Sequence, residues 1–218
     1  MARICVASRG VRHFALVAKR GFFITFEGTE GSGKTTQAEL LAEWLEKRNP
    51  VLVREPGGTE LSEQIRDTLL YRGLEIDPEA EMYLFMASRR QLVAEVIAPA
   101  LAAAQIVIAD RYHDSTLAYQ GGARGLATTW PPSFPRPDIT FLLVGDVEAG
   151  LGRHEAAGKR KDRMEQESLE FHRKVAEAYE RLAAAEPQRF VRLDATGSRD
   201  KIQFEVRDHV KPLLDGAE

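Results

Sequence analysis

The run Gly21-Phe22-Phe23-Ile24-Thr25-Phe26-Glu27-Gly28-Thr29-Glu30-Gly31-Ser32-Gly33-Lys34-Thr35-Thr36 leaves this chain few choices of fold. An apolar, β-branched and aromatic stretch comes first, a glycine-rich turn follows, and then Leu40, Leu41, Trp44 and Leu45 share one helical face. The order is strand, loop, helix. From Gly28 through Gly33-Lys34-Thr35 the spacing is G-x-x-x-x-G-K-[ST], in which glycines let consecutive backbone N–H groups turn inward around a polyphosphate. Lys34 is placed to reach the outer phosphates and the Thr35 hydroxyl a magnesium ion, while the helix N-terminus adds partial positive charge. The segment Glu27 to Thr36 is therefore the candidate nucleotide-binding loop.

At 218 residues the chain can bury one sizeable core, with room for an inserted lid. A net charge of -3 offers no basic field for a nucleic-acid backbone, so the expected ligand is a free nucleotide and not a polymer. The single Cys5 cannot form an internal disulfide, and no Cys/His set has metal-ligand spacing. A reducing, cytoplasmic setting fits. No apolar run approaches the roughly 18 residues that a membrane-spanning helix needs. Residues 1–20 carry Arg3, Arg9, Arg12, Lys19 and Arg20 with no acid, but their apolar pieces are too short for a secretory signal. They read as a loosely ordered extension, with the fold starting at Gly21 and a single domain over 21–218.

Further strands are expected at Val51-Leu52-Val53, Ile106–Ala109, Ile139–Val144 and Phe190–Leu193. Helices are expected over Leu61–Tyr71, capped by Thr59 or Ser62, and from Pro78 into Ala104 with a kink or break at Pro99. More helix is expected from Asp146, over Glu167–Ala184 with Phe171, Val175, Tyr179 and Leu182 toward the core, and over Ile202–Leu214. Repeated strand-helix units with buried strands imply an α/β fold: a five-stranded parallel sheet flanked by helices in three layers. Arg153, Lys159, Arg160, Lys161 and Arg163 follow the fourth strand, where a basic lid at about 152–165 would bring cations to a transferring phosphoryl group and exclude water.

Arg66, Arg89 and Arg111 come from three separate elements, and together would make a site for an anionic acceptor, because guanidinium forks match phosphate oxygens. Phe85, one turn before Arg89, can present its ring to a nucleobase. Asp110 ends a strand where a phosphate-loop protein holds its magnesium. A phosphate acceptor is already ionised and needs no strong base, which suits a strand-end Asp-Arg pair with no base beside it.

Several motifs in order resemble the thymidylate kinase family: Phe26 through Thr36, Arg54-Glu55-Pro56-Gly57-Gly58-Thr59, Phe85 through Arg89, Asp110-Arg111-Tyr112, Ser115-Thr116-Leu117-Ala118-Tyr119-Gln120-Gly121, and Asp162-Arg163-Met164-Glu165-Gln166-Glu167. The resemblance spans about Gly21 to Leu214 and implies transfer of the ATP γ-phosphoryl group to dTMP, with magnesium, in a homodimer formed through helix faces. It implies that Phe85 stacks on thymine, that Arg89 and Gln120 bind its polar edge, and that Arg66 and Arg111 hold the dTMP phosphate beside Ser115 and Thr116. Tyr119 would crowd the place of a ribose 2′-hydroxyl. Glu55 and Asp110 would organise the acceptor side and the metal. Because the loop carries Glu30 and no arginine, the resemblance implies a catalytic cation from the lid, with Arg153 and Arg163 leading. Three features depart from the family pattern: the 1–20 extension, the short proline-rich segment 126–136, and Glu155 and Ala157 where related enzymes often have arginine. A kinase for another small acceptor and a non-catalytic ATP-binding regulator stay open on the residues alone.

Overall fold

The computed structural model describes residues 21–156 and 162–215. The 1–20 extension and the lid basics Lys159, Arg160 and Lys161 lie outside the described residues. Five strands form one parallel sheet: β1 Phe23–Gly28, β2 Val51–Arg54, β3 Val107–Asp110, β4 Ile139–Val144 and β5 Phe190–Asp194, in the spatial order β2-β3-β1-β4-β5. The register pairs Phe26 with Asp110 on one side and with Phe141 on the other, which sets the ends of β1, β3 and β4 side by side.

Alternation along the strands divides the core. Ile24, Phe26, Ile108, Phe141 and Leu143 point to one face and pack with Leu41 of α1 (Lys34–Trp44), with Leu45 just after it, and with Val206 and Val210 of α8 (Arg199–Asp215). On the opposite face, Phe23, Val107 and Ala109 meet Leu92, Val93 and Ile97, while Leu142 and Phe190 meet Phe171, Val175 and Tyr179 of α7 (Leu169–Ala185). Leu40 and Trp44 of the expected apolar face are only half-buried.

Capping chemistry fixes the helix starts. α2 (Glu60–Leu70) is capped by Thr59, whose hydroxyl accepts from the Ser62 N–H, and Ser62 instead donates to the Ser88 carbonyl. α3 (Pro78–Leu92) starts on Asp77 with Pro78 in the first turn. α7 starts two residues later than the sequence pattern predicts, because Ser168 caps it by accepting from the Phe171 N–H; Glu167 is thereby released from the helix. Pro99 does not end its helix. The ladder widens to a π-turn over Val93–Ile97 and continues as α4 (Ala98–Ala102), which accommodates a ring that would otherwise meet the carbonyl one turn back. A second π-turn, Leu117–Ala123, follows the short α5 (His113–Thr116). The helix after β4, α6, spans Val147–Ala156. Among the described residues no helix is long and apolar enough to cross a membrane.

Candidate active site

The carboxyl edge of the sheet opens into a cavity of about 580 Å³, where ligands of open parallel sheets collect. Glu30, Gly31, Lys34 and Thr35 of the loop line it, and so do Arg66, Phe85, Arg89, Tyr119 and Gln120. Asp110, Arg111, Ser115, Thr116 and Glu55 line it as well.

The loop is shaped by positions that reject a side chain. Gly31 has φ 65°, and a Cβ there would stand 1.9 Å from the Gly150 carbonyl oxygen at the start of α6. α1 begins on Gly33 without any side-chain cap, so its first N–H groups are left for an anion. Lys34 Nζ donates to the Thr29 carbonyl at 2.6 Å and to Ser32 Oγ at 3.3 Å. Burial, and then the charge of Arg111, pull the Lys34 amine down to about 8. Thr35 Oγ1 donates to Asp110 Oδ2 at 2.5 Å. That hydroxyl and carboxylate are hard oxygen donors of the kind magnesium takes, and the remaining places would fall to phosphate oxygens and water. Among the described residues there is no group of three or more His, Cys, Asp or Glu side chains able to hold a metal by themselves.

Not all of the candidate loop faces the cavity, and Glu27 is turned into the core. It is fully buried on β1 and does not line the cavity: Oε1 accepts from the Tyr112 N–H, and Oε2 accepts from Ser115 Oγ and the Tyr179 hydroxyl. Gly28 and Thr29 line a second cavity, between the end of β4 and α7. Ser32, Gly33 and Thr36 line neither.

Arg111 has a left-handed backbone, φ 70°, at the end of β3, a conformation that long side chains rarely adopt and that clusters at functional sites. Its Nη1 donates to the Gly28 carbonyl, Ser115 Oγ and the Tyr179 hydroxyl, and its Nη2 donates to Glu30 Oε1 at 2.9 Å. The Tyr119 hydroxyl donates to the other Glu30 oxygen, and the Arg111 guanidinium lies 5.2 Å from the Tyr119 ring centre. Burial pulls the Glu30 carboxyl up, but Arg111 and Lys34 hold it below its ordinary range.

Arg89, on α3, is almost completely buried. Nε and Nη2 meet Glu55 Oε2, each at 2.6 Å; Nη2 also donates to the Tyr112 carbonyl, and Nη1 faces Thr116 Oγ1 and His113 Nδ1. Its N–H groups are thus all directed at protein acceptors. Glu55 Oε1 is buried with no partner, and burial, opposed by Arg89, pushes the Glu55 carboxyl up to about 7. Arg66 makes one hydrogen bond among the described residues, from Nη1 to the Pro56 carbonyl.

The two leading lid cations part company. Arg153, exposed on α6, donates to the Gly31 carbonyl at 3.2 Å. Arg163 turns away from the cavity: Nε donates to the Leu69 carbonyl and Nη2 to the buried Glu81. Asp162, Met164 and Glu165, its neighbours, line the cavity instead.

A family model described as thymidylate kinase matches residues 26–206. The chain belongs to the thymidylate kinase family. A thymidylate kinase of Pelobacter propionicus is 48% identical over 197 residues, covering 84% of this chain and 90% of that protein. A second, of Synechococcus sp. (strain JA-3-3Ab), is 47% identical over 201 residues, covering 88% and 96%. Among solved structures, the crystal structure of thymidylate kinase from Ehrlichia chaffeensis matches with a TM-score of 0.69 and 32% identity, over 88% of this chain and 99% of that one.

Sequence reasoning missed Glu81 and His113. Glu81 had a signal, since it stands at the same four-residue spacing before Phe85 that Phe85 keeps before Arg89, and so shares their helix face. His113 had none, because its bond to Arg89 joins residues 24 apart in sequence.

Proposed function

We propose that the protein transfers the γ-phosphoryl group of ATP to dTMP. A phosphate oxygen of dTMP attacks the γ-phosphorus, the bond to the β-bridging oxygen breaks, and dTDP and ADP result. The observation that carries the reading is that Lys34 and Thr35 of the loop line one continuous cavity with Phe85, Tyr119 and Gln120. The uncapped start of α1 and Lys34 bind the donor phosphates. Thr35 and Asp110 would hold magnesium, which would supply neutralisation of the charge on the phosphate oxygens.

Phe85 stacks on the thymine, Gln120 meets its polar edge, and Arg89 shares one of its committed N–H groups with that edge. Arg66 and Arg111, beside Ser115 and Thr116, take the dTMP phosphate. Tyr119 stands against the sugar. Arg153, next to Gly31, is the lid cation best placed for the transferring group, with Arg163 anchoring the far side of a lid over about 152–165. Exposed Leu61 on α2 and Tyr83 on α3 are consistent with a homodimer through helix faces, and the lone Cys5 with a cytoplasmic setting.

The test is ADP formation by purified protein with ATP and magnesium, comparing dTMP, dUMP, AMP, thymidine and no acceptor. ADP chiefly with dTMP is the expected result. Equal turnover of AMP would overturn the acceptor assignment, and nucleotide binding without any acceptor-dependent ADP would favour a regulator.

A further inference from the structure

Glu81 is a charged side chain with no exposure at all, on α3 one turn before Phe85, and the transfer reaction as drawn above gives it no task. Its two oxygens collect four donors. Oε1 accepts from Gln120 Nε2 and from Arg124 Nε, each at 2.8 Å; Oε2 accepts from Arg124 Nη2 at 2.9 Å and from Arg163 Nη2. Burial raises the carboxyl, but these hydrogen bonds, led by Arg124, hold it below its ordinary range, so it stays ionised.

An ionised carboxylate only accepts. Gln120 must therefore turn its amide N–H toward Glu81, since the reverse orientation would set two oxygens against each other in a buried place. Gln120 also lines the cavity, and its amide oxygen makes no hydrogen bond among the described residues. We propose that Glu81 is a specificity-determining positioning residue, which holds Gln120 with its carbonyl oxygen toward the acceptor base. The oxygen accepts from a ring N3–H, as in thymine, and repels a ring nitrogen that carries a lone pair, as in cytosine. Arg163, at the end of the lid segment, is held by the same carboxylate, so lid anchor and base-reading amide share one support.

This inference rests on the dTMP reading, and its test separates the two. kcat/KM is measured for dTMP and for 5-methyl-dCMP, which keeps the methyl, sugar and phosphate but lacks N3–H. In Glu81→Gln, the new amide keeps its oxygen toward Arg124 Nη2 and Arg163 Nη2, and its NH2 group takes the place of Oε1, where it gives up the bond from Arg124 Nε and offers N–H to Gln120, which then turns its own N–H to the cavity. The dTMP preference is expected to fall by roughly ten-fold or more, through KM for the nucleotide acceptor, with KM for ATP unchanged. A folded variant in which both acceptors slow equally, or the preference is kept, overturns the inference. If Glu81→Gln does not fold, Glu81→Asp is read in its place, because it keeps the charge for Arg124 and Arg163 but withdraws from Gln120 by one methylene. Wild-type protein that makes no ADP with dTMP rejects the activity, and calorimetric titration of the two nucleotides then decides: a wild-type preference lost in the variant supports the role of Glu81, and no preference overturns it.

Discussion

Lys34 should give the reaction a falling alkaline limb. Its amine is buried in a wall that already holds Arg111, and it is drawn from 10.5 to about 8. That drop represents about 3 kcal/mol of lost preference for the charged form. With nothing bound, about one molecule in ten keeps the proton at pH 9. Binding the triphosphate restores the cation, so above pH 8 each bound nucleotide takes up a proton and apparent affinity falls about ten-fold per pH unit. The parameter to follow is kcat/KM for ATP at saturating acceptor from pH 6.5 to 9.5, because it reports the form of the protein that ATP has yet to bind. Lys34→Arg, whose guanidinium cannot deprotonate in this range, should lose the limb even if its rate is lower. The loss is not unfolding at this site. A folded value below the unfolded one means that the unfolded chain holds more protons between about 8 and 10.5, so Lys34 makes stability rise with pH there; its contribution is full above 10.5 and is withdrawn as pH falls from there through about 8. A flat profile to pH 9.5, or the same limb in Lys34→Arg, would refute the reasoning.

Three further outcomes are expected. Asp114→Asn takes from Arg189 the fully buried one of its two carboxylates, onto whose oxygens it forks at 2.7 and 2.9 Å, and leaves it Glu186 at 3.0 Å; urea unfolding should record a loss of about 1–3 kcal/mol, the Asp114→Leu/Arg189→Met pair should recover most of it, and a single variant as stable as wild type contradicts this. Gly31→Ala should raise KM for ATP by roughly ten-fold or more, since its Cβ meets the Gly150 carbonyl at 1.9 Å and φ is 65°; equal damage to dTMP binding would argue against a local effect at the loop. Glu55, raised from 4.5 to about 7, contributes stability that is full below 4.5 and lost as pH rises through about 7, so wild type should lose about 3 kcal/mol relative to Glu55→Gln across that window; a difference independent of pH would count against it.

What the sequence made legible is local. The run from Gly21 to Leu45 announces strand, loop and helix because period-2 and period-3.6 patterns meet at glycines whose positive φ few other residues tolerate. Asp110 and Thr35 were expected to meet over a metal, and the parallel register of β1 with β3 brings Asp110 beside the loop. The π-turns were not legible, because a widened ladder leaves the apolar period almost unchanged. At Gly122 the reason for the residue appears only in three dimensions, where a Cβ would lie 2.2 Å from the Ala178 Cβ on α7. Nor could spacing reveal which cations are already spoken for. Arg163 reads as a lid cation in a basic run, yet its carboxylate, Glu81, stands 82 residues earlier.

On the proposed function, those commitments bear on how an acceptor phosphate would enter. Arg54 is paired with Glu63, Arg89 has every N–H directed at a protein acceptor, and Arg111 spends Nη2 on Glu30. Arg66 alone among the cavity arginines spends a single N–H, on the Pro56 carbonyl. A phosphate can therefore meet Arg66 without breaking an ion pair, whereas Arg111 must divide Nη2 between it and Glu30. Glu30 then works as a placeholder: it keeps Arg111 charged, ordered and over the Tyr119 ring while the site is empty, so little side-chain entropy is left to lose when a second anion arrives. The same carboxylate lowers the site's net positive charge, and a monoanion that cannot bridge Arg66 and Arg111 gains too little to displace it. On the proposed function, selection of a nucleoside monophosphate over a free nucleoside would follow from that balance, because only the phosphate brings the two negative charges that repay sharing Arg111.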